Sequence, residues 1–293
     1  MDESRSTYLK GKVDEVTSWI RSKGSIIVAF SGGVDSSLMA LLARRALGDK
    51  AIAVTTDSAT VPPGELEDAK RIAAEIGIRH IVTKVNELDN PDFAQNPANR
   101  CYFCKKELST HLKELASQYS VSTIVTGVIA DDLNGHRPGT LALEEQGIFN
   151  PLSDAGLTKQ DVRDICRMFG LSTAEKPAMA CLSSRVAYGE EITLEKLKRI
   201  GEAENFIKQR LGVRQLRVRV HGDLARIEVA PEERKTFFDE KALDEVYLNL
   251  RQLGFLYVTL DVGGYRSGSM DLPLKHKQQR EVNSLIVLTQ RDD

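Results

Sequence analysis

The sequence predicts an α/β protein, a doubly wound parallel sheet followed by a smaller C-terminal α+β domain. Three observations predict it. Short, apolar, β-branched runs alternate with helical stretches as far as residue 126. A glycine break follows the first of those runs and opens a helix. Near Pro151 the alternation stops and another pattern begins.

The elements follow in order. Residues 12–21 carry Val13, Val16 and Ile20 at helical spacing. Residues 25–30 (SIIVAF) form an apolar run of the kind that lies buried on both faces of a sheet. Residues 36–47 read as a helix, 51–56 (AIAVTT) as a second buried strand, and 64–76 as a helix behind the start signal Pro62-Pro63. Residues 79–85 are a third strand, 104–119 a helix and 121–126 (VSTIVT) a fourth strand. One more helix, 158–169, precedes a loop over 171–189. Beyond it come a helix (194–211), an alternating apolar and basic strand (213–220), a strand (225–230), a helix (243–253) and a last strand (255–261). The division between domains falls in 171–190, which gives residues 1–180 and 181–293. The charged end, residues 275–293, is expected to be disordered in its last residues.

Composition narrows the class. Lys and Arg number 40 against 42 Asp and Glu, a formal net charge of -2, which argues against a nucleic-acid coat or a membrane surface. The apolar runs are too short to span a bilayer, and residues 1–10 lack the apolar core of a signal peptide. A cytoplasmic protein without a nucleic-acid or membrane partner is expected. Its four cysteines, Cys101, Cys104, Cys166 and Cys181, then suggest thiols or a metal site.

The chemistry-bearing residues begin with Ser31-Gly32-Gly33-Val34-Asp35-Ser36-Ser37, between the first strand and its helix. Glycines let the backbone approach an anion, and a helix N-terminus favours negative charge. The segment reads as a phosphate cradle at the carboxyl end of a parallel strand. It is not a Walker loop, because no Gly-Lys-Ser/Thr follows. By themselves, Asp131 and Asp132 after the fourth strand read as a solvated turn with an Asx cap. Cys101 and Cys104 form a C-x-x-C pair, open to a redox disulfide, a zinc or a cluster. Cys166 shares an apolar helix face with Val162, Ile165 and Phe169 and reads as core. Arg217 and Arg219 share one face of a strand, where paired guanidiniums suit a phosphate unless that face is merely solvated.

The loop resembles the pyrophosphate loop (PP-loop) of the N-type ATP pyrophosphatases, whose fold is adenine nucleotide alpha hydrolase-like and which include NAD, GMP and asparagine synthetases and tRNA thiolases. The resemblance implies that Ser31, Gly32, Gly33, Asp35, Ser36 and Ser37 hold the phosphates of ATP. It implies that the strand end at Thr55 and the segment from Gly127 to Asp132 complete the nucleotide site, with Mg2+ on the carboxylates. Asn99-Arg100-Cys101-Tyr102-Phe103-Cys104-Lys105, Arg137-Pro138-Gly139, residues 176–185 (KPAMACLSSR) and residues 217–222 (RVRVHG) together resemble the LarE family. These are sulfur transferases of nickel-pincer cofactor biosynthesis. That likeness implies a small-molecule substrate, pyridinium-3,5-biscarboxylic acid mononucleotide, adenylated with release of pyrophosphate and then thiolated. It implies Asp35 and Cys181 as catalytic residues and Arg217 with Arg219 as the clamp on the substrate's phosphate. In one kind of family member the cysteine matching Cys181 gives up its own sulfur. In the other, Cys101, Cys104 and Cys181 would hold a 4Fe-4S cluster carrying a labile sulfide, and the three cysteines here point to the cluster. A homo-oligomer is expected, and the sulfur donor is not legible. The rival readings are a tRNA thiolase or amidotransferase sharing the same activation, and a nucleotide sensor without turnover.

Overall fold

A computed structural model describes residues 2–133, 138–272 and 274. Its elements run α1 (Glu3–Lys23), β1 (Ile26–Ala29), α2 (Val34–Leu47), β2 (Ala51–Asp57), α3 (Glu65–Ile76), β3 (Arg79–Lys84), α4 (Pro91–Ala94), α5 (Arg100–Gln118), β4 (Thr123–Val125), α6 (Pro138–Glu145), α7 (Pro151–Asp154) and α8 (Lys159–Met168). They continue with α9 (Leu194–Leu211), β5 (Leu216–His221), β6 (Leu224–Val229), α10 (Glu240–Gln252) and β7 (Tyr257–Leu260). The chain divides into two compact units, Met1–Ala94 with Asn99–Cys181, and Gln95–Ala98 with Leu182–Asp293.

The first unit is built on a parallel sheet in the order β3-β2-β1-β4. Strand β1 shows why its sequence is apolar throughout. Ile26 and Val28 face a core shared with α1, α2, α3 and α8, while Ile27 faces a second core with Leu112 and Ala116 of α5. Each side chain of the strand therefore meets a covered face, and the period of two shows no polar partner. From β1 the chain winds outward through β2 and β3, then crosses back to lay β4 on the other side of β1. The crevice at the carboxyl ends of β1 and β4 is thus the point where the winding reverses, the usual ligand position in such sheets.

The sequence-based elements are recovered with shifted ends. Helix α1 starts at Glu3, well before residue 12, because Asp2 caps it by accepting from the Arg5 N–H at 2.7 Å. Helix α5 starts at Arg100, before residue 104, so Cys101 and Cys104 lie one turn apart on a single helix. The short helices α4, α6 and α7, each opened by a proline, were not legible as apolar periodicity. Arg137 and residues 275–293 lie outside the described residues.

The second unit has a three-stranded sheet, β5-β6-β7, with β5 antiparallel and β7 parallel to β6. Helix α9 packs on β5 and α10 on β7. Every residue of β5 except His221 is buried, so its alternating apolar and basic pattern does not mark a solvated face.

Candidate active site

The loop after β1 closes on itself through serine hydroxyls. Ser36 Oγ accepts the Ser31 N–H at 3.2 Å, lies 3.1 Å from Ser31 Oγ and donates to the Gly33 carbonyl at 3.1 Å. Gly32 has φ +69°, and a Cβ there would stand 2.9 Å from Ala69 Cα of α3. Only glycine meets both demands. Gly33 enters α2 extended, and the first-turn amides of that helix have no intrahelical acceptors. Gly127, after β4, seals the other side. A Cβ on it would lie 2.7 Å from Ser36 N and 2.8 Å from Asp35 C. The crevice is therefore lined by backbone from two strand ends, a surface suited to phosphate oxygens.

Charge gathers at the same end of the sheet. Asp35 Oδ2 accepts from Lys159 Nζ at 2.5 Å, while Asp35 Oδ1 is buried without a hydrogen-bond partner among the described residues. Burial pushes the Asp35 carboxyl above its ordinary range, against the pull of Lys159, and the charge of Asp132 adds to the rise. Asp132 accepts from the Ile129 N–H at 3.3 Å, and Asp131 accepts from the Lys159 backbone N–H at 2.5 Å. Lys159, which sequence reasoning missed, opens α8 beside a capping box formed by Thr158 and Asp161. That box was the available signal for the helix start, but nothing local pointed from it to Asp35.

Thr55 lies at the carboxyl end of β2. Its hydroxyl donates to the Phe30 carbonyl at 2.7 Å, so His80 Nε2, 2.8 Å away, must be the donor to Thr55. Burial holds the His80 pKa below its ordinary value, in keeping with a neutral ring bonded in this way.

The three cysteines of interest belong to the first unit. Cys101 and Cys181 are exposed and Cys104 is half-buried. Desolvation pushes the Cys104 thiol up to about 12, and Cys101 and Cys181 both lie near enough for their charge to add to the rise. Gly139 of α6 presses on this end of α5, where a Cβ would stand 3.4 Å from the Cys101 carbonyl oxygen. Among the described residues, no three His, Cys, Asp or Glu side chains converge on a site for one metal ion. Cys166 is fully buried in the core of α2 and α8.

In the second unit, three buried arginines meet two buried glutamates. Arg185 donates to both carboxylate oxygens of Glu204 at 2.9 and 3.1 Å, and Glu204 also accepts the Val218 N–H at 3.0 Å. Arg219 donates twice to Glu228 Oε2 at 3.0 and 2.9 Å, and to the Ser184 carbonyl and Ser269 Oγ. Arg217 lies over the Tyr265 ring at 5.2 Å and donates to the Leu216 carbonyl. Burial, then the neighbouring Arg185, lowers its pKa. Arg217 and Arg219 thus share a desolvated strand face. Glu228, which sequence reasoning did not single out, is the carboxylate at its centre.

The NAD synthase family model matches residues 3–134, the stretch that contains β1 to β4. The chain is 44% identical to an uncharacterized protein of Synechocystis, over 90% of this chain and 98% of that one. It is 24% identical to a glutamine-hydrolysing GMP synthase component of Archaeoglobus fulgidus, over 70% of each. It is 36% identical to the pyridinium-3,5-bisthiocarboxylic acid mononucleotide synthase of Lactiplantibacillus plantarum, over 86% of this chain and 91% of that one. The chain belongs to that synthase family.

As a member of the pyridinium-3,5-bisthiocarboxylic acid mononucleotide synthase family, built on a PP-loop fold, the chain is an ATP-dependent sulfurtransferase. Its residues can be tested against the groups such an enzyme needs. Mg2+ takes one or two carboxylates and completes its shell with phosphate oxygens and water. The orphaned, desolvated Asp35 Oδ1 beside Asp132 fits that demand, and three protein ligands are not required. A cluster differs from a single ion, because each thiolate binds its own iron and the sulfurs stand apart. The thiols of Cys101, Cys104 and Cys181, near enough to feel one another's charge, are donors of the type an iron–sulfur cluster takes. Among the described residues no helix is long and apolar enough to cross a membrane.

Proposed function

We propose that this enzyme activates the carboxylates of pyridinium-3,5-biscarboxylic acid mononucleotide with ATP and converts them to thiocarboxylates. The observation that carries the reading is the crevice at the switch point, where the Ser31-to-Ser37 loop, Gly127 and the Asp35 carboxylate meet. Family membership supplies the substrate class, since the Lactiplantibacillus plantarum relative is named for the bisthiocarboxylic acid product.

In this reading Ser31, Gly32, Gly33, Ser36 and Ser37 bind the two phosphates that leave as pyrophosphate. Thr55, fixed by Phe30 and His80, and Gly127 bound the nucleoside. Asp35 and Asp132 would hold Mg2+, which when bound neutralises charge on the departing pyrophosphate. Arg217 and Arg219 hold the phosphate of the mononucleotide. Arg219 is oriented by Glu228 and Arg217 by Tyr265, and two guanidiniums held side by side on one strand suit a phosphate. Cys101, Cys104 and Cys181 would hold a 4Fe-4S cluster, which when bound supplies sulfide to the acyl-adenylate from an iron without a protein thiolate. Burial keeps Cys104 protonated unless a cation takes its proton's place. We place the enzyme in the cytoplasm, as a homo-oligomer without nucleic-acid partners.

The test is anaerobic. AMP and pyrophosphate should form only when the biscarboxylate is present, and the protein should carry iron and sulfide with a visible cluster spectrum. Ala at any one of Cys101, Cys104 or Cys181 should remove that spectrum, and Arg217→Ala should weaken mononucleotide binding by about 1.5–3 kcal/mol without changing ATP binding. A protein mass lower by about 34 Da after reaction would instead mark Cys181 as a consumed sulfur donor.

A further inference from the structure

A short turn, Ser172–Glu175, follows α8 and leads toward Cys181. It is tied to α3 and α8 along its length. Ser172 donates its N–H and its hydroxyl to Glu75 of α3 at 2.8 and 2.5 Å. Arg163 of α8 donates to the carbonyls of Ala174 and Lys176. Lys176 is itself held at three points. Its N–H bonds the Thr173 carbonyl at 3.0 Å, its carbonyl takes Arg163, and its ammonium lies 2.9 Å from both Glu65 Oε2 and Asp68 Oδ2. The Lys176 side chain is 13% exposed, so salt screens this contact less than it screens a surface pair. Against desolvation, Lys176 and then Arg71 hold the Asp68 carboxyl below its ordinary range.

Glu65 and Asp68 stand in the first turn of α3. The next residue, Ala69, is the one that leaves no room for a Cβ on Gly32. The start of α3 thus abuts the phosphate cradle and also holds Lys176. Pro177 follows, with its φ fixed and no N–H to donate, and Cys181 comes five residues after Lys176. A chain of that length reaches at most about 17 Å, so the place of Cys181 depends on where its root is held.

We propose that Lys176 is a positioning residue for sulfur transfer: through Glu65 and Asp68 it fixes the root of the Cys181 segment to the wall of the nucleotide cradle. It acts through those carboxylates rather than on the reacting atoms. The inference rests on the reading above, adenylation at the cradle followed by thiolation at Cys181. Loss of the anchor spares the first step and impairs the second.

In the experiment the full chain, loaded with iron and sulfide, receives ATP and the biscarboxylate without air, and AMP and thiocarboxylate are both counted. Lys176→Met should form AMP at nearly the parent rate and thiocarboxylate about a hundredfold more slowly, the effect of misplacing a reacting group by about 1 Å. Lys176→Arg, whose guanidinium also bridges carboxylates, should recover most of the thiocarboxylate. Glu65→Gln with Asp68→Asn should reproduce the loss, and Lys176→Met on top of that pair should add little. A second readout uses the metal-free chain with Cys101→Ser and Cys104→Ser and a nitroxide on Cys181. Lys176→Met should narrow its EPR lines, as a loosened root frees the label. Equal losses of AMP and thiocarboxylate in Lys176→Met would mark an ordinary stabilising ion pair and overturn the inference, as would parent-rate thiocarboxylate or an unchanged nitroxide spectrum. If the parent itself forms no AMP on the biscarboxylate, the reading beneath fails, and the inference with it.

Discussion

Replacing Gly127 by Ala should damage catalysis far more than folding. The added methyl would stand 2.7 Å from Ser36 N, 2.8 Å from Asp35 C and 2.9 Å from Ser36 Cα, all backbone atoms that cannot rotate away. Ordinary contact begins at 3.4 Å, so the strand end and the first turn of α2 must part by about 0.7 Å. Overpacking of this kind costs about 1–3 kcal/mol of stability. The same shift moves the phosphate cradle and Asp35, and a misplacement of about 1 Å costs roughly 100-fold in rate. A loss of some tens-fold in AMP formation is expected, measured beside thermal unfolding. Gly11→Ala is the matched control. It lies inside α1 with nothing within 4 Å of the added Cβ, so it should stabilise by up to about 1 kcal/mol and leave the rate alone. Parent-rate AMP formation by Gly127→Ala would show that the cradle does not abut this glycine.

Other consequences of the packing can be measured directly. Glu204→Gln strips the fully buried Arg185 of its carboxylate and should cost about 3–5 kcal/mol in chemical denaturation, whereas Arg185→Met with Glu204→Leu should be more stable than either single change. Arg5 bonds Asp161 and Asp164, and both carboxyls sit below their ordinary range: Asp161 despite its burial, through the Thr158 hydroxyl and N–H and then Arg5, and Asp164 chiefly through Arg5. Depressed carboxylates stabilise above the unfolded value of about 3.9, and that stability is lost as pH falls through the folded value. Arg5→Ala should therefore lower stability at pH 7 and flatten the acid limb below about pH 4. Cys166→Ala removes one buried sulfur from the core, at a cost of about 1 kcal/mol, and should leave any cluster absorbance untouched.

What was legible in the sequence was local. The run of residues 25–30, its glycine break and the serines that follow lie within residues 25–37, so strand, cradle and helix start could be read together. The shared face of Arg217 and Arg219 was legible from the period of two. Their burial was not, because the covering partners lie elsewhere: Arg217 is paired in register with Glu228, and Tyr265 and Ser269 come later still. Lys159 escaped for the same reason, standing 124 residues from Asp35. The start of α5 was read late because Cys101, Tyr102 and Phe103 show no apolar period, so the cysteine pair was recognised as a motif before its helix was.

The four residues 95–98 affect how the chain can be taken apart and made. They belong to the second unit, although the first resumes at Asn99. Asn96 is fully buried there, at φ 55°, and its side-chain amide donates to the carbonyls of Val186, Ala187 and Glu190. During synthesis this loop emerges long before the residues that will accept its hydrogen bonds. The second unit therefore closes last, around a peg threaded in from the first half of the chain. A fragment starting at Leu182 would lack that peg and the amide donor that the carbonyls of Val186, Ala187 and Glu190 share. Supplying residues 95–98 as a short tether at its N-terminus should restore cooperative unfolding that the bare fragment lacks.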